Sequence, residues 1–220
     1  MTARIAVLAS GRGSNLQAIL DAIDAGTLAA EVVGVFSDRP DAAALQRVPE
    51  ARRWAAAPTA FIDRSAYEAA LADALAATAP EWIVCAGYMR ILGPAFVARY
   101  AGRLINIHPS LLPLYKGLHT HARALAAGDA EHGASVHFVV PELDAGTVLA
   151  QARVAVDPAD TPETLAARVL GIEHPLLIAS LQLLCSGRVA EQGGRILLDG
   201  HPLFSPMALD SAGQLHAPPV

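Results

Sequence analysis

The sequence predicts an α/β protein, an open and mostly parallel twisted sheet with helices on both faces. Three observations predict this fold class. Short apolar runs alternate along the chain with longer segments of helical periodicity, as in βαβ units. The runs are continuously apolar, which is typical of parallel strands buried on both faces. Hydrophobic residues make up 53% of the 220 residues and charged residues 17%, which suits one compact domain with a large core.

The first half of the chain alternates predicted strands and helices. Residues 5–9 form a buried strand, and residues 15–25 follow as a helix with one apolar face. Further strands are predicted at residues 32–36, 59–62, 82–86 and 104–107. Further helices are predicted at residues 42–57 with a break at Pro49, at residues 65–77 and at residues 94–99. Ser65 is the predicted N-cap of its helix, because Glu68 completes a capping box.

The second half of the chain continues the alternation after an irregular loop at residues 109–117. A short helix is predicted at residues 121–127, and strands at residues 134–140 and 148–156. Residues 161–186 form a long helix that opens at Thr161. Residues 195–198 are predicted to be a late edge strand, and the last dozen residues a tail.

Composition excludes several classes of function. The net charge is −5, with 16 basic against 21 acidic residues, whereas a dedicated nucleic-acid binder usually has a basic excess. Lys116 is the single lysine and lies outside any P-loop motif. The two cysteines, Cys85 and Cys185, lie in apolar runs, which predicts buried thiols and a reducing cytoplasm. The longest charge-free run, residues 174–187, is too short for a bilayer span, so no membrane partner is expected.

Two glycine-containing clusters follow predicted strands, where ligands bind in parallel sheets. Gly11-Arg12-Gly13-Ser14-Asn15 leads into a helix, so its backbone amides could hold a phosphate. A dinucleotide fingerprint is excluded because Leu16 stands at the third glycine position. The second cluster, residues 87–92, offers amides and an apolar wall for a flat heteroaromatic ligand. Ordinary strand-to-helix turns remain the alternative for both clusters.

Two further clusters carry candidate acid–base groups. Asn106 and His108 alternate along one strand, so both side chains point to the same face and could polarise a carbonyl. Asp144 follows the next strand and could orient an imidazole. A structural histidine and a solvated turn carboxylate are the alternatives. No His-Glu-x-x-His pattern accompanies the neighbouring histidines, so no metal is expected on His119, His121, His132 or His137.

Five motifs together resemble one family, the folate-dependent formyltransferases that act on phosphoribosylglycinamide in purine synthesis. They are Gly-x-Gly-Ser-Asn at 11–15, Gly-Tyr-Met-Arg-Ile-Leu at 87–92, Asn-Ile-His-Pro-Ser-Leu-Leu-Pro at 106–113, Gly-Leu-His-Thr-His at 117–121 and Glu-Leu-Asp-x-Gly at 142–146. The likeness covers roughly residues 4–190. It implies a Rossmann-like formyltransferase fold, with residues 1–190 as the catalytic domain and residues 191–220 as its C-terminal edge strand and tail.

The resemblance also implies a role for each matched residue. The glycinamide ribonucleotide would be held by Gly11, Arg12, Gly13, Ser14, Asn15 and Glu173. The co-substrate, 10-formyltetrahydrofolate, would be held by Arg64, Met89, Arg90, Ile91, Leu92, Asn106, Val140, Pro141, Glu142, Leu143 and Asp144. Asn106, His108 and Asp144 would be the catalytic residues in a direct amine attack without metal. The partners would be small molecules and no nucleic acid, for a cytoplasmic monomer or homodimer.

The sequence departs from the family pattern at four places. Arg12 replaces a small or polar residue, Lys116 stands where proline is common, and Leu170 replaces a polar residue. After His174 comes Pro-Leu-Leu, where the family often has a Tyr-Pro pair. Two alternative functions remain. One is a sibling enzyme that transfers or hydrolyses formyl groups, although the extra domains of methionyl-tRNA formyltransferase and formyltetrahydrofolate deformylase are not expected here. The other is a nucleotide- or folate-binding module without catalysis.

Overall fold

The computed structural model describes residues 2–217. The chain is α/β, and its central sheet is mostly parallel and flanked by helices, as the sequence predicts. It divides into two compact units, the first ending at Asn106 and the second beginning at Ile107. The division into residues 1–190 and 191–220 stays a prediction.

The first unit contains five strands and three α-helices. The strands are β1 (Ala3–Leu8), β2 (Ala30–Ser37), β3 (Arg53–Ala55), β4 (Trp82–Cys85) and β5 (Leu104–His108), the last of which continues into the second unit. The helices are α1 (Ser14–Asp24), α2 (Arg64–Ala77) and α3 (Pro94–Arg99). The strand order is β5-β4-β1-β2-β3, and every pair is parallel. Five of the six β1 residues are buried, as expected for a strand covered on both faces.

The predicted helix at residues 42–57 is wrong. The structure has two short 3₁₀ helices, Ala43–Arg47 and Glu50–Arg52, followed by β3. Pro49 has no amide hydrogen for a continuing helix, and β2 offers an open edge with which β3 pairs.

The predicted strand at residues 59–62 is also wrong. Pro58–Ala60 forms a 3₁₀ turn instead, and the Ile62 side chain is 95% exposed. Pro58 has no amide hydrogen for a sheet ladder, and its fixed φ suits the first position of this turn.

The N-cap of α2 is Asp63 rather than the predicted Ser65. The Asp63 side chain accepts a hydrogen bond from the Ala66 N–H at 2.8 Å. Glu68 does not complete a capping box but accepts from the Gly93 N–H at 2.9 Å and from Arg64 at 2.7 Å. Aspartate is preferred at N-caps as strongly as serine, and Asp63 has the extended backbone of an N-cap residue.

The second unit contains the end of β5, two helices and seven strands of its own among the residues that are described. The helices are α4 (Thr120–Ala127) and α5 (Pro162–Cys185). The strands are β6 (Glu131–Phe138), β7 (Val148–Ala155), β8 (Val189–Gln192), β9 (Arg195–Leu198), β10 (His201–Leu203), β11 (Met207–Leu209) and β12 (Leu215–His216). Strands β6 and β7 are antiparallel, β11 adds parallel to β7, and β12 pairs antiparallel with β11.

The C-terminal segment has more structure than predicted. Strand β9 is not an edge strand but the centre of a three-stranded antiparallel sheet with β8 and β10. The turns Gly193-Gly194 and Asp199-Gly200 have positive φ at both residues, the geometry of tight hairpins. Most of the predicted tail forms β11 and β12 and their turn, while residues 218–220 lie outside the described residues.

Helix α5 is long and apolar enough to cross a membrane by length and hydropathy alone. In its own unit it packs against β6, β7 and α4, and Leu165, Val169, Leu176, Leu177 and Leu181 are fully buried. A buried core helix meets the same criteria as a membrane span. The predicted absence of a membrane partner therefore stays a prediction.

Candidate active site

The glycine loop of the first unit leads directly into α1. Gly13 is the N-cap and has a φ of 73°, in the left-handed region that favours glycine. A Cβ atom at Gly13 would lie 2.7 Å from the Cβ of Ala44, so the loop packs too closely for any side chain there. Helix α1 has no side-chain cap and no acidic residue in its first turn. These features leave the start of α1 suited to an anion.

Two buried polar residues near this loop, Ser10 and Asp38, were not predicted as site residues from the sequence. The hydroxyl of Ser10, just after β1, donates to Asp38 Oδ1 at 2.5 Å. The same hydroxyl oxygen accepts from the Met89 N–H at 2.9 Å. Their positions after β1 and β2 were a usable signal, because the carboxyl ends of parallel strands form the ligand-binding edge. The contact holds the start of the Met89 loop in place.

Four predicted folate-binding residues line one open cleft in the first unit. Its volume is about 290 Å³, and the lining residues are Arg64, Met89, Arg90 and Ile91. Arg64 donates from Nη2 to the Ile91 carbonyl at 2.6 Å, which fixes one side of the cleft. Leu92 was also predicted to bind the folate, but it is buried and does not line the cleft.

Two aromatic residues lie next to a residue that lines the cleft. The guanidinium carbon of Arg90 lies 5.8 Å from the centre of the Tyr67 ring. The hydroxyl groups of Tyr67 and Tyr88 are 2.8 Å apart, and burial raises the pKa of both phenols. Both phenols therefore stay neutral near pH 7. Their role is structural, and they do not act as an acid–base pair.

The second unit brings His108 and Asp144 together, as predicted. Asp144 Oδ2 lies 3.5 Å from His108 Nδ1 and accepts a hydrogen bond from the Gly117 N–H at 2.9 Å. Both side chains are 9% exposed. Asp144 has a φ of 46°, an uncommon backbone conformation for a residue other than glycine, in the turn after β6.

The other ring nitrogen of His108 faces a backbone oxygen. His108 Nε2 donates to the Tyr115 carbonyl at 3.1 Å. Both nitrogens of the ring therefore face oxygen atoms. Asn106 lies two residues earlier on β5, so alternation places its side chain on the same face of the strand as that of His108.

The loop that faces His108 is tied down by its own side chains. The Tyr115 hydroxyl donates to Asp129 Oδ2 at 2.5 Å. Arg123 donates to the Lys116 carbonyl at 2.6 Å, and its guanidinium lies 5.3 Å from the centre of the Tyr115 ring. The predicted irregular loop is thus ordered around the carbonyl and the amide that contact His108 and Asp144.

His137 is a further residue of this cluster, and its place beside Asp144 was not predicted from the sequence. It is 2% exposed, and its Nε2 lies 3.6 Å from Asp144 Oδ1. Its Nδ1 donates to the Phe138 carbonyl at 2.9 Å. Burial lowers the pKa of His137. Asp144 is therefore flanked by two histidines, one at each carboxylate oxygen.

The remaining predicted residues of the second unit lie in two places. The turn after β6 carries four exposed residues, Val140, Pro141, Glu142 and Leu143. Glu142 pairs with Lys116 at 3.5 Å. Glu173 lies on α5 and is buried. Its role in holding the ribonucleotide stays a prediction.

The histidines near His108 do not form a metal centre in the part of the chain that is described. No group of three or more His, Cys, Asp or Glu side chains in residues 2–217 could hold a metal ion. His121 Nδ1 and His132 Nε2 are 3.2 Å apart and pair with each other.

The burial of His132 is expected to lower the free energy of unfolding at acid pH. Burial, and next the neighbouring His121, lowers the pKa of His132 to about 4 from an ordinary value of 6.5. The unfolded chain therefore binds this proton more tightly, and the free energy of unfolding falls as the pH drops below 6.5. We expect His132 to account for about 2 kcal/mol of the loss between pH 7.5 and pH 5. Urea unfolding at both pH values, on wild type and His132→Asn, measures it.

The exposed His201 on β10 provides the control for this prediction. The variant His201→Asn should keep the full difference in stability between the two pH values, whereas His132→Asn should lose part of it. Equal pH dependence in the His132 variant and in wild type would contradict the prediction.

Comparison with known proteins places the chain in a family. Residues 3–181 match the family described as Formyl transferase. The chain is 47% identical over 201 residues to the phosphoribosylglycinamide formyltransferase of Escherichia coli (strain K12), covering 90% of this chain and 95% of that protein. A protein of the same name from Haemophilus influenzae is 41% identical over 206 residues, with 91% and 95% covered.

A solved structure agrees with these sequence matches. The phosphoribosylglycinamide formyltransferase of Coxiella burnetii, determined in complex with CHES, is 47% identical and superposes with a TM-score of 0.87. The match covers 92% of this chain and 96% of that one. Since the family match, the near full-length relatives and the shared α/β architecture agree, the chain belongs to the formyl transferase family.

Proposed function

We propose that this protein transfers the formyl group of 10-formyltetrahydrofolate to the primary amine of 5-phosphoribosylglycinamide. The products are formylglycinamide ribonucleotide and tetrahydrofolate, in purine biosynthesis. The observation that carries this proposal is the His108–Asp144 pair, whose imidazole and carboxylate are both fixed by the loop at residues 115–117. The names of the near full-length relatives support the same reaction.

His108 acts on the formyl oxygen. The substrate amine attacks the formyl carbon, and negative charge develops on the formyl oxygen as a tetrahedral intermediate forms. The formyl oxygen takes the place of the Tyr115 carbonyl as the acceptor of the His108 Nε2–H, and the Asn106 amide donates a second hydrogen bond to it. Asp144 orients the ring through its contact with Nδ1. Attack by the amine forms the new C–N bond. The tetrahedral intermediate then collapses, which restores the C=O bond and breaks the bond to folate N10, and the proton lost by the amine reaches N10 through water.

Each proposed substrate has its own set of binding residues. The amides of residues 11–15 take the phosphate of the ribonucleotide, and the cleft of Arg64 and residues 89–91 takes the folate. The resemblance further assigns residues 140–144 to the folate and Glu173 to the ribonucleotide. Arg12 is exposed and adds a positive charge to the loop.

We further propose that the protein works in the cytoplasm as a monomer or homodimer, on small molecules and not on nucleic acid. The net charge of −5 supports the absence of a nucleic-acid partner. The reaction needs no metal, because His108 and Asn106 supply the hydrogen-bond donors for the developing charge.

A spectrophotometric assay tests the reaction. The formyl donor is 10-formyl-5,8-dideazafolate, with glycinamide ribonucleotide as acceptor and a second sample that lacks the acceptor. We expect an absorbance change only when the ribonucleotide is present. A change without it would identify a deformylase instead. No change in either sample would contradict the proposed acceptor and direct the search to other amines.

A further inference from the structure

Two successive carbonyl groups of the glycine loop are held by the same short 3₁₀ helix, Ala43–Arg47. The Gly11 carbonyl accepts a hydrogen bond from the Ala44 N–H at 3.0 Å. The Arg12 carbonyl accepts one from Arg47 Nε at 2.9 Å. Arg47 lies 35 residues along the chain from Arg12, so this second contact is set by the tertiary fold.

The direction of these carbonyls sets the direction of the next two amides. In a trans peptide the C=O of one residue and the N–H of the following residue point in opposite directions. The Arg12 N–H therefore points away from Ala44, and the Gly13 N–H points away from Arg47. Adjacent amides that turn to one side beside a left-handed residue form an anion-binding concavity, and Gly13 has a φ of 73°.

Arg47 also fixes the first turn of the following helix. Its Nη1 donates to Gln17 Oε1 at 2.6 Å, and Gln17 Nε2 in turn donates to Asp21 at 2.7 Å. The Gln17 N–H donates to the Gly13 carbonyl at 2.9 Å. One guanidinium thus connects the loop carbonyl to the side chain above the first turn of α1.

We propose that Arg47 is a positioning residue for the ribonucleotide site, holding the amides of Arg12 and Gly13 toward the substrate phosphate. This inference rests on the proposed function, which places the phosphate at residues 11–15. Arg47 acts through the backbone of the loop and takes no part in formyl transfer. Its effect therefore falls on the affinity for a phosphorylated acceptor, and not on the rate of the chemical step.

Steady-state kinetics of Arg47→Met and Arg47→Lys test the proposal. We expect Arg47→Met to raise the KM for glycinamide ribonucleotide about tenfold, with kcat and the KM for the folate within about twofold of wild type. Arg47→Lys should recover part of the affinity, because a lysine can still donate to the Arg12 carbonyl. With the dephosphorylated riboside as acceptor, wild type and Arg47→Met should have equal kcat/KM.

Arg52 provides a matched control. It lies in the next 3₁₀ helix and also donates to a backbone carbonyl and to a side chain, Val32 at 2.9 Å and Glu31 at 2.8 Å. Arg52→Met should leave the KM for the ribonucleotide unchanged. An equal loss in both variants, an equal loss for both acceptors, or a fall in kcat without a rise in KM would overturn the positioning role.

Binding of inorganic phosphate separates this inference from the proposed function. Titration of the wild-type protein, followed by amide NMR, should shift the Arg12 and Gly13 N–H signals, and Arg47→Met should lose that shift. If wild type binds phosphate in this way but transfers no formyl group, the proposed reaction fails and the role of Arg47 stands. If Arg47→Met binds phosphate as wild type does, the role of Arg47 is wrong.

Discussion

Replacing His108 with alanine is expected to lower kcat for formyl transfer about 10²- to 10³-fold. Asp144 lies beside Nδ1 of the imidazole, and Nε2 donates to the Tyr115 carbonyl, the acceptor that the formyl oxygen replaces in the proposed mechanism. Removing it takes away a donor needed in the transition state and leaves the cleft at Arg64 untouched. We expect the dissociation constant for 10-formyl-5,8-dideazafolate to stay within about twofold of wild type, measured by fluorescence titration.

Asp144→Asn separates the charge of the carboxylate from its structural contact. The amide oxygen of asparagine can still accept the Gly117 N–H, which lies 2.9 Å from Asp144 Oδ2. The loop should therefore stay ordered while the negative charge beside His108 is lost. We expect kcat to fall by at least an order of magnitude with little change in unfolding midpoint. The control for both variants is His201→Ala, because His201 lies exposed on β10. Near-normal turnover of His108→Ala would contradict the proposed mechanism.

The second large effect is expected from Gly146→Ala. A Cβ atom at Gly146 would overlap the Phe138 carbonyl oxygen and lie 2.8 Å from its carbon. Phe138 cannot move away freely, because its N–H donates to the Thr147 carbonyl at 3.0 Å and closes the turn between β6 and β7. The turn also carries Asp144. We expect the free energy of unfolding to fall by about 3 kcal/mol and formyl transfer to be strongly reduced.

Gly171→Ala is the matched control for this substitution. Gly171 lies inside α5, and a Cβ atom there would meet nothing within 4 Å. Alanine costs less backbone entropy than glycine in a helix, so this variant should be more stable than wild type by about 0.5–1 kcal/mol. Urea unfolding of both variants measures the contrast. A Gly146→Ala protein as stable as Gly171→Ala would show that the turn after β6 tolerates a side chain.

The regular elements of this fold could be predicted because their signals are local. The strand at Trp82–Cys85 and the helix at Pro94–Arg99 lie within a residue of the predicted bounds. The error at residues 42–57 arose where helical composition competed with an open sheet edge. The three residues of β3 gain hydrogen bonds from β2 that no local pattern encodes. The two C-terminal hairpins were missed although Gly193-Gly194 and Asp199-Gly200 are strong turn signals.

The functional cluster divides in the same way. His108 and Asp144 were predicted as partners from their motifs, and the structure brings them within 3.5 Å. His137 could not be assigned beside Asp144, because the contact depends on the turn that reverses the chain after β6. The Tyr115 carbonyl and the Gly117 amide belong to the backbone, whose direction a sequence does not specify.

The sequence by itself determined the α/β class, the residues of the five motifs and the family they resemble. The fold class and the motifs depend on hydrophobic periodicity and on side chains that are close together in sequence, and both can be read directly from the chain. Only the tertiary structure decided that β3 takes the edge of β2, that Asp144 lies between two histidines, and that Arg47 reaches back to the loop at Arg12. Each of these contacts joins groups that are distant in sequence or uses a backbone direction, so its geometry exists only once the chain has packed.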